Sequence, residues 1–204
     1  MTNQQLKSPA VAFVGRHNSG KTTLVEKIIG CLVARGWDVA SIKHHGHVGF
    51  EIDIEGKDSW RHRKAGASET AVCSPDQFAL IRTLDHELEV STIINMMDPH
   101  DIVIVEGYRK SGVPTIEIMR GANEKDAIAA QEFVRVAQNE HAVYDSQVLA
   151  ENTGLMPNSQ TIAIATDIES VTNVCSIIQM PCFSLDNTEA LCDFIEHVII
   201  KRSA

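Results

Sequence analysis

No stretch of this chain reaches the ~18 consecutive apolar residues that a membrane span requires, and its longest apolar runs are broken by Glu, Asp or Lys. The first eight residues are polar and lack the apolar segment of a secretory leader, so a soluble, cytoplasmic protein is expected. Basic charge is scarce as well. Against 27 acidic residues stand 18 Lys and Arg, a formal net charge of −9. This balance argues against broad binding to nucleic acid or to an anionic membrane, because counterion release needs a basic face. A local basic pocket for a small anion is still compatible with that balance. The five cysteines, Cys31, Cys73, Cys175, Cys182 and Cys192, form no CxxC pair, and no disulfide scaffold follows from them. Cys31, Cys73 and Cys192 have apolar neighbours and are expected to be buried, reduced thiols. Repeats and low-complexity segments are absent. With 44% hydrophobic and 22% charged residues, the 204-residue chain suits one well-filled core.

What is present reads as alternating strands and helices. Apolar runs over Ala10 to Val14, Val39 to Ile42, Ile102 to Val105, Thr115 to Met119 and Thr161 to Ala165 have the character of buried parallel strands. Glu69 to Ser74 and Phe78 to Thr83 are further strand candidates, joined by a turn at Pro75-Asp76. Leu24, Ile28, Cys31 and Leu32 keep the spacing of one helical face, which Gly36 ends. Lys57 to Ala67 is predicted as a short helix. Leu88 to Met97 is predicted as another, with Leu88, Ile93 or Thr92 and Met96 turned inward as core. Leu191, Phe194, Ile195, Val198 and Ile199 mark a C-terminal amphipathic helix, with Asp186 and Glu189 at capping-box spacing. Between these, 122–160 is the least regular stretch. Ala127, Ala130, Val134 and Ala137 fit a helical stripe, and the segment is expected to be an inserted helical arm of a single domain, 1–204. The fold expected is α/β, three-layered, with a mostly parallel central sheet flanked by helices.

The strongest local motif is Gly15-Arg16-His17-Asn18-Ser19-Gly20-Lys21-Thr22, which matches G-x-x-x-x-G-K-[ST] between an apolar strand and an amphipathic helix. The two glycines let the backbone curl until successive N–H groups face a phosphate chain, and the helix starting near Lys21 and Thr23 adds its positive end. Lys21 is expected on the β- and γ-phosphates and Thr22 on Mg²⁺. Such a P-loop needs an acid near the metal. Glu106, at the carboxyl end of the Ile102 to Val105 strand, is the candidate, with the Gly107 N–H expected to face the γ-phosphate.

Further segments join this loop. Ile42-Lys43-His44-His45 leads into Phe50-Glu51-Ile52-Asp53, then into Gly56-Lys57-Asp58-Ser59-Trp60-Arg61-His62 and Ala65-Gly66-Ala67, with Val105-Glu106-Gly107-Tyr108-Arg109 downstream. Together with the loop they resemble the molybdopterin-guanine dinucleotide biosynthesis protein B family (MobB) over most of residues 8–120, plus Thr161 to Asp167. The K-H-H, D and G-K-D-S-x-R-H string is far more specific than the loop. The resemblance implies a P-loop NTPase fold and a homodimeric, GTP-binding adapter of molybdenum cofactor biosynthesis. Such an adapter works beside the guanylyltransferase that attaches GMP to molybdopterin, with GTP hydrolysis weak at most. Bound molybdopterin or its guanine dinucleotide and contact with molybdoenzyme maturation proteins are expected on the same ground. The chain departs from the family pattern at Glu51, where Asp is usual, and at Glu55, where Pro is usual.

Read on their own, these residues allow two accounts each. Asp53 either approaches Mg²⁺ or a water at the γ-phosphate, as part of a nucleotide-ordered loop, or is a surface acid. Lys57, Arg61, His62, Arg63 and Lys64 form a basic cluster in an acidic chain. They suit an anionic ligand such as a pterin phosphate, or make a solvated face balanced by Asp58 and Glu69. Lys43, His44 and His45 are candidates for contact with phosphate or a partner, and Arg109 for a phosphate or an opposing subunit. Asp167 stands where guanine-selective proteins place the carboxylate that reads the base, without the full N-K-x-D string; the alternative is a turn or cap. Two other functions fit the loop: a small-molecule kinase with Asp53 as base, and a metallochaperone-type GTPase with His44, His45 and His47 as ligands.

Overall fold

The computed structural model describes residues 6–47, 49–137 and 160–201. The chain divides into two compact units, Met1–His44 with Glu89–Ala204, and His45–Leu88. The first holds a six-stranded, all-parallel sheet built from β1 (Ala10–Gly15), β2 (Val39–Lys43), β5 (Ile102–Glu106), β6 (Thr115–Met119), β7 (Thr161–Thr166) and β8 (Cys182–Ser184), in the order β2-β5-β1-β6-β7-β8. The second holds helix α2 (Asp58–Lys64) and the antiparallel hairpin β3 (Glu69–Cys73) and β4 (Phe78–Arg82).

Helices lie on both faces of the large sheet because alternate side chains of its central strands feed two different cores. Val11 and Phe13 of β1 and Ile102 and Ile104 of β5 pack with α1 (Lys21–Ala34) and α6 (Thr188–Ile195). Ala10, Ala12 and Val14, with Val103 and Val105, pack with Val90 and Ile94 of α3 (Val90–Met96). A third cluster joins Met119 and Ile164 to α4 (Glu124–Ala137) and α5 (Glu169–Ile178). Strands buried on both faces cannot alternate apolar with polar, which is why β1 and β5 are continuous apolar runs. Among the described residues no helix is long and apolar enough to cross a membrane.

Several expectations change. Helix α3 turns Val90 and Ile94 inward, so Met96 is 55% exposed and Met97 makes the apolar contact instead. In α4 the buried residues are Asp126, Ala129, Ala130 and Phe133, a stripe rotated from the predicted one so that it carries a charge into the interior. The rest of the expected arm, 138–159, lies outside the described residues. Cys73 is exposed on the hairpin and Cys31 is half-buried, while Cys175 and Cys192 are buried. The cap of α6 is Asn187, which accepts the Ala190 N–H, rather than Asp186. This helix continues into a π-helical turn, Glu196–Ile200. Helix α5 and the three-residue strand β8 were not anticipated.

Candidate functional site

The P-loop connects β1 to α1 in the first unit. Its curl requires residues that tolerate left-handed backbone, and Asn18 (φ 64°) and Gly20 (φ 84°) supply it. Gly15 is needed for space: a Cβ there would lie 2.8 Å from both the Ile118 carbonyl oxygen and Ser19 Oγ. Among the described residues no side chain caps α1, and its first turn holds no acid, so its leading N–H groups and dipole remain available to an anion. The Ser19 hydroxyl is buried without a hydrogen-bond partner among the described residues. Orphaned donors around a glycine-shaped cradle suit a phosphate.

Lys21 folds back over the loop and donates from Nζ to the Arg16 carbonyl at 2.5 Å. Burial lowers its pKa from the usual value, against the opposing pull of Glu106, Asp126 and Glu117. Beside it the Thr22 hydroxyl donates to Glu106 Oε1 at 2.7 Å. The Lys43 ammonium donates to the same Glu106 oxygen at 2.7 Å and to Thr22 Oγ1 at 3.1 Å. Residues from β1–α1, β2 and β5 thus meet on one carboxylate, as the sequence predicts for Thr22 and Glu106. Lys43 belongs to this cluster rather than to a separate anion or partner surface. Hydroxyl and carboxylate are the hard oxygen donors that Mg²⁺ prefers, and a cationic group already sits between them.

Other expected residues have different employment. The Gly107 N–H donates to the Phe13 carbonyl at 2.9 Å, because the β1–β5 ladder runs one residue past Glu106, so it does not face a phosphate. Gly107 instead gives His44 room (a Cβ would lie 2.8 Å from that of His44), and the His44 ring lies against Tyr108 at 4.2 Å, tilted by 30°. Arg109 turns inward and grips Glu117 with two hydrogen bonds, 2.6 and 2.7 Å, leaving no free fork for a phosphate or a second subunit. Burial raises the pKa of that carboxyl, which Arg109 and Arg16 oppose. Asp167 accepts the Gly121 N–H on Oδ1 at 2.6 Å, and Thr23 lies exposed on the first turn of α1.

In the second unit Asp53 is neither free nor a surface acid. Its carboxylate is 10% exposed, accepting from Ser59 Oγ at 2.9 Å and pairing with Arg63 Nε at 3.0 Å. The basic cluster divides accordingly. Arg63 also binds Glu51 at 2.6 Å, Lys64 binds Glu51 at 3.2 Å and lies over Trp60, and Arg61 meets Asp58 at 3.7 Å. Glu69 pairs with Arg82 across the hairpin and does not balance this cluster. Lys57 precedes α2 at its N-cap and His62 is exposed on the helix. His45 stacks on Phe50 at 4.3 Å with His47 edge-on at 5.8 Å, and no group of three metal-ligating side chains occurs among the described residues.

The sequence reading missed the supports behind the loop. Arg16 pairs with buried Asp126 at 3.2 Å, Asp126 accepts the Arg120 N–H at 3.1 Å, and Asn123 donates from Nδ2 to the His17 carbonyl at 2.8 Å. Helix α4 is pinned to the P-loop in this way. The available signal was charge inside apolar pattern, Glu117 within Thr115–Met119 above all.

The family model described as molybdopterin guanine dinucleotide synthesis protein B matches residues 10–139. The molybdopterin-guanine dinucleotide biosynthesis adapter protein of Haemophilus influenzae is 33% identical over 147 residues, covering 71% of this chain and 82% of that protein. Its counterpart in Escherichia coli is 33% identical over 138 residues, 64% and 78% of the two chains. The crystal structure of Bacillus subtilis MobB aligns with a TM-score of 0.62 at 24% identity, covering 94% of this chain and 98% of that one, which shows the shared fold. With its P-loop, its parallel sheet and a family match over more than half its length, the chain belongs to the MobB family of molybdopterin-guanine dinucleotide biosynthesis adapter proteins.

Proposed function

We propose that this chain is a cytoplasmic, homodimeric GTP-binding adapter that works beside the guanylyltransferase in molybdopterin guanine dinucleotide biosynthesis and hydrolyses GTP weakly at most. The observation that carries the reading is the meeting of Thr22 and Glu106, 2.7 Å apart, at the open N-terminus of α1. In this reading Thr22 and Glu106 hold Mg²⁺, which when bound neutralises phosphate charge, and Lys21 leaves the Arg16 carbonyl for the phosphates. Asp167, fixed by the Gly121 N–H, takes the guanine edge. Slow turnover follows from the employment of Asp53 and Arg109: each is already held by a partner of opposite charge, so neither is poised to orient water or to stabilise transferring charge. An adapter also needs a docking face. The second unit exposes Phe50, Ile52, Ile54, Phe78 and Leu80, between 46% and 70% each, and these side chains suit such a face. The basic residues of α2 beside Trp60 suit a pterin phosphate there. Equilibrium dialysis with GTP, GDP and ATP, with and without Mg²⁺, tests the nucleotide reading. Magnesium-dependent retention of GTP and GDP is expected, and a tenfold preference for ATP overturns it. Native mass spectrometry with the guanylyltransferase reports assembly and stoichiometry.

A further inference from the structure

We infer that Arg120 is a phosphate-contacting residue of the nucleotide site, a fixed positive charge reaching the P-loop from the neighbouring strand. The inference rests on the nucleotide reading above and assigns a residue outside the loop motif.

Arg120 directly follows β6, which lies beside β1 with Ile118 opposite Gly15. Its backbone is held on both sides: the N–H donates to Asp126, and the carbonyl accepts the Asn123 N–H at 3.0 Å. From that anchor the side chain crosses to Gly20. A Cβ on Gly20 would lie 2.9 Å from an Nη and 3.2 Å from Cζ and Nε, so the guanidinium packs against the last loop residue before α1. No side chain other than hydrogen at position 20 leaves that approach open.

The guanidinium is an exception in this acidic chain. Arg16, Arg35, Arg63, Arg82, Arg109 and Arg135 each pair with a carboxylate. Arg120 pairs with none among the described residues, and its Nε is buried with no hydrogen-bond partner. A buried N–H without an acceptor is costly, and a structure keeps one where an acceptor arrives from outside. Ser19 Oγ, buried without a partner in the P-loop itself, is a second such group. An acceptor that meets a guanidinium fork, an uncapped helix N-terminus and Lys21 together is an anion with several oxygens, and the phosphate chain of the proposed nucleotide satisfies all three.

Isothermal titration of the full chain with GTP, GDP and inorganic tripolyphosphate, at fixed ionic strength and with Mg²⁺, tests this in wild type, Arg120→Gln and Arg120→Lys. Arg120→Gln is expected to weaken all three about 10- to 150-fold, the range for a hydrogen bond to a charged group. Arg120→Lys is expected to recover part of the loss, since it restores charge without the fork. The ligand-free melting temperature of Arg120→Gln is expected to equal or exceed that of wild type, because an unpaired buried group has been removed. Unchanged affinity in Arg120→Gln overturns the inference, and so does a fall in its ligand-free melting temperature with the affinity loss, which marks a structural role. Failure of wild type to bind any of the three overturns the nucleotide reading together with this one.

Discussion

Removing Arg109 isolates the energetics of the buried frame behind the loop. Glu117 sits in the middle of β6 with its side chain fully buried, and Arg109 supplies both of its hydrogen bonds, at 2.6 and 2.7 Å. Arg109→Ala leaves that carboxylate without its partner, which costs about 3–5 kcal/mol for a broken buried pair. Against a total stability of about 5–15 kcal/mol this is a large share. At about 2–4 °C per kcal/mol for a chain of this size, the melting temperature is expected to fall by about 6–20 °C. The loss depends on pH with a defined sign. Burial raises the Glu117 pKa above its usual 4.5, and without Arg109 the opposing pull is weaker. Between 4.5 and the raised value the folded state binds a proton that the unfolded chain has released. Stability therefore falls as pH rises through that window, by up to about 1.4 kcal/mol per unit, and the window is wider in the variant than in wild type. Scanning calorimetry of both proteins from pH 4.5 upward is expected to show a gap that widens with pH. Adding Glu117→Gln is expected to remove the pH dependence of that gap. A loss under about 3 °C, or a gap constant across the pH range, refutes the reasoning.

Three further outcomes are expected. Lys21→Ala removes the one ammonium that belongs to the loop itself and is expected to lower GDP and GTP affinity about 10- to 150-fold by titration calorimetry; affinity within twofold of wild type refutes its phosphate role. Lys43→Met removes the cation that sits on Thr22 and Glu106. Mn²⁺ affinity in the presence of GDP, read by electron paramagnetic resonance, is then expected to rise, by up to about fivefold because Lys43 is largely exposed. A fall in Mn²⁺ affinity would mean that Lys43 assists the metal. Gly20→Ala places a side chain at φ 84° and against Arg120. A loss of about 1–2 kcal/mol from backbone conformation alone is expected in urea unfolding, and a neutral effect would contradict the observed close packing.

The central strands and the loop were legible because both are local in the chain. A strand buried on two faces has to be continuously apolar, and Ala10–Gly15 and Ile102–Glu106 are. The P-loop is eight consecutive residues whose glycines answer a backbone requirement. Thr22 with Glu106 was legible for a related reason, since a strand end in a parallel sheet is a predictable place. Arg109 and Asp53 were misread because a charged residue in isolation carries no mark of its partner. The partners, Glu117 and Arg63, are 8 and 10 residues away along the chain, and for Arg16 and Asp126 the separation is 110. Met96 failed for a different reason. The phase of α3 is set by Val90 and Ile94, and six residues past Val90 the helix has turned Met96 toward solvent. Strand β8 has only three residues, two half-buried and one exposed, too few for any periodicity to register.

The strand order explains how residues so far apart come to share one edge. Lys43, Glu106, the P-loop, Arg120 and Asp167 follow β2, β5, β1, β6 and β7, or end them, and those are five consecutive strands of the sheet. Because all are parallel, all five carboxyl ends lie on the same side. At that edge three cationic side chains, Lys21, Lys43 and Arg120, stand beside two carboxylates, Glu106 and Asp167, in a chain whose formal charge is −9. The excess of positive charge is therefore local, and it decays within about 8 Å at physiological ionic strength. Attraction of an anion then comes from directed donors at short range rather than from the field of the whole molecule. The geometry of the loop, the uncapped helix end and the Arg120 fork has to supply the selectivity that a basic protein would obtain in part from its net charge.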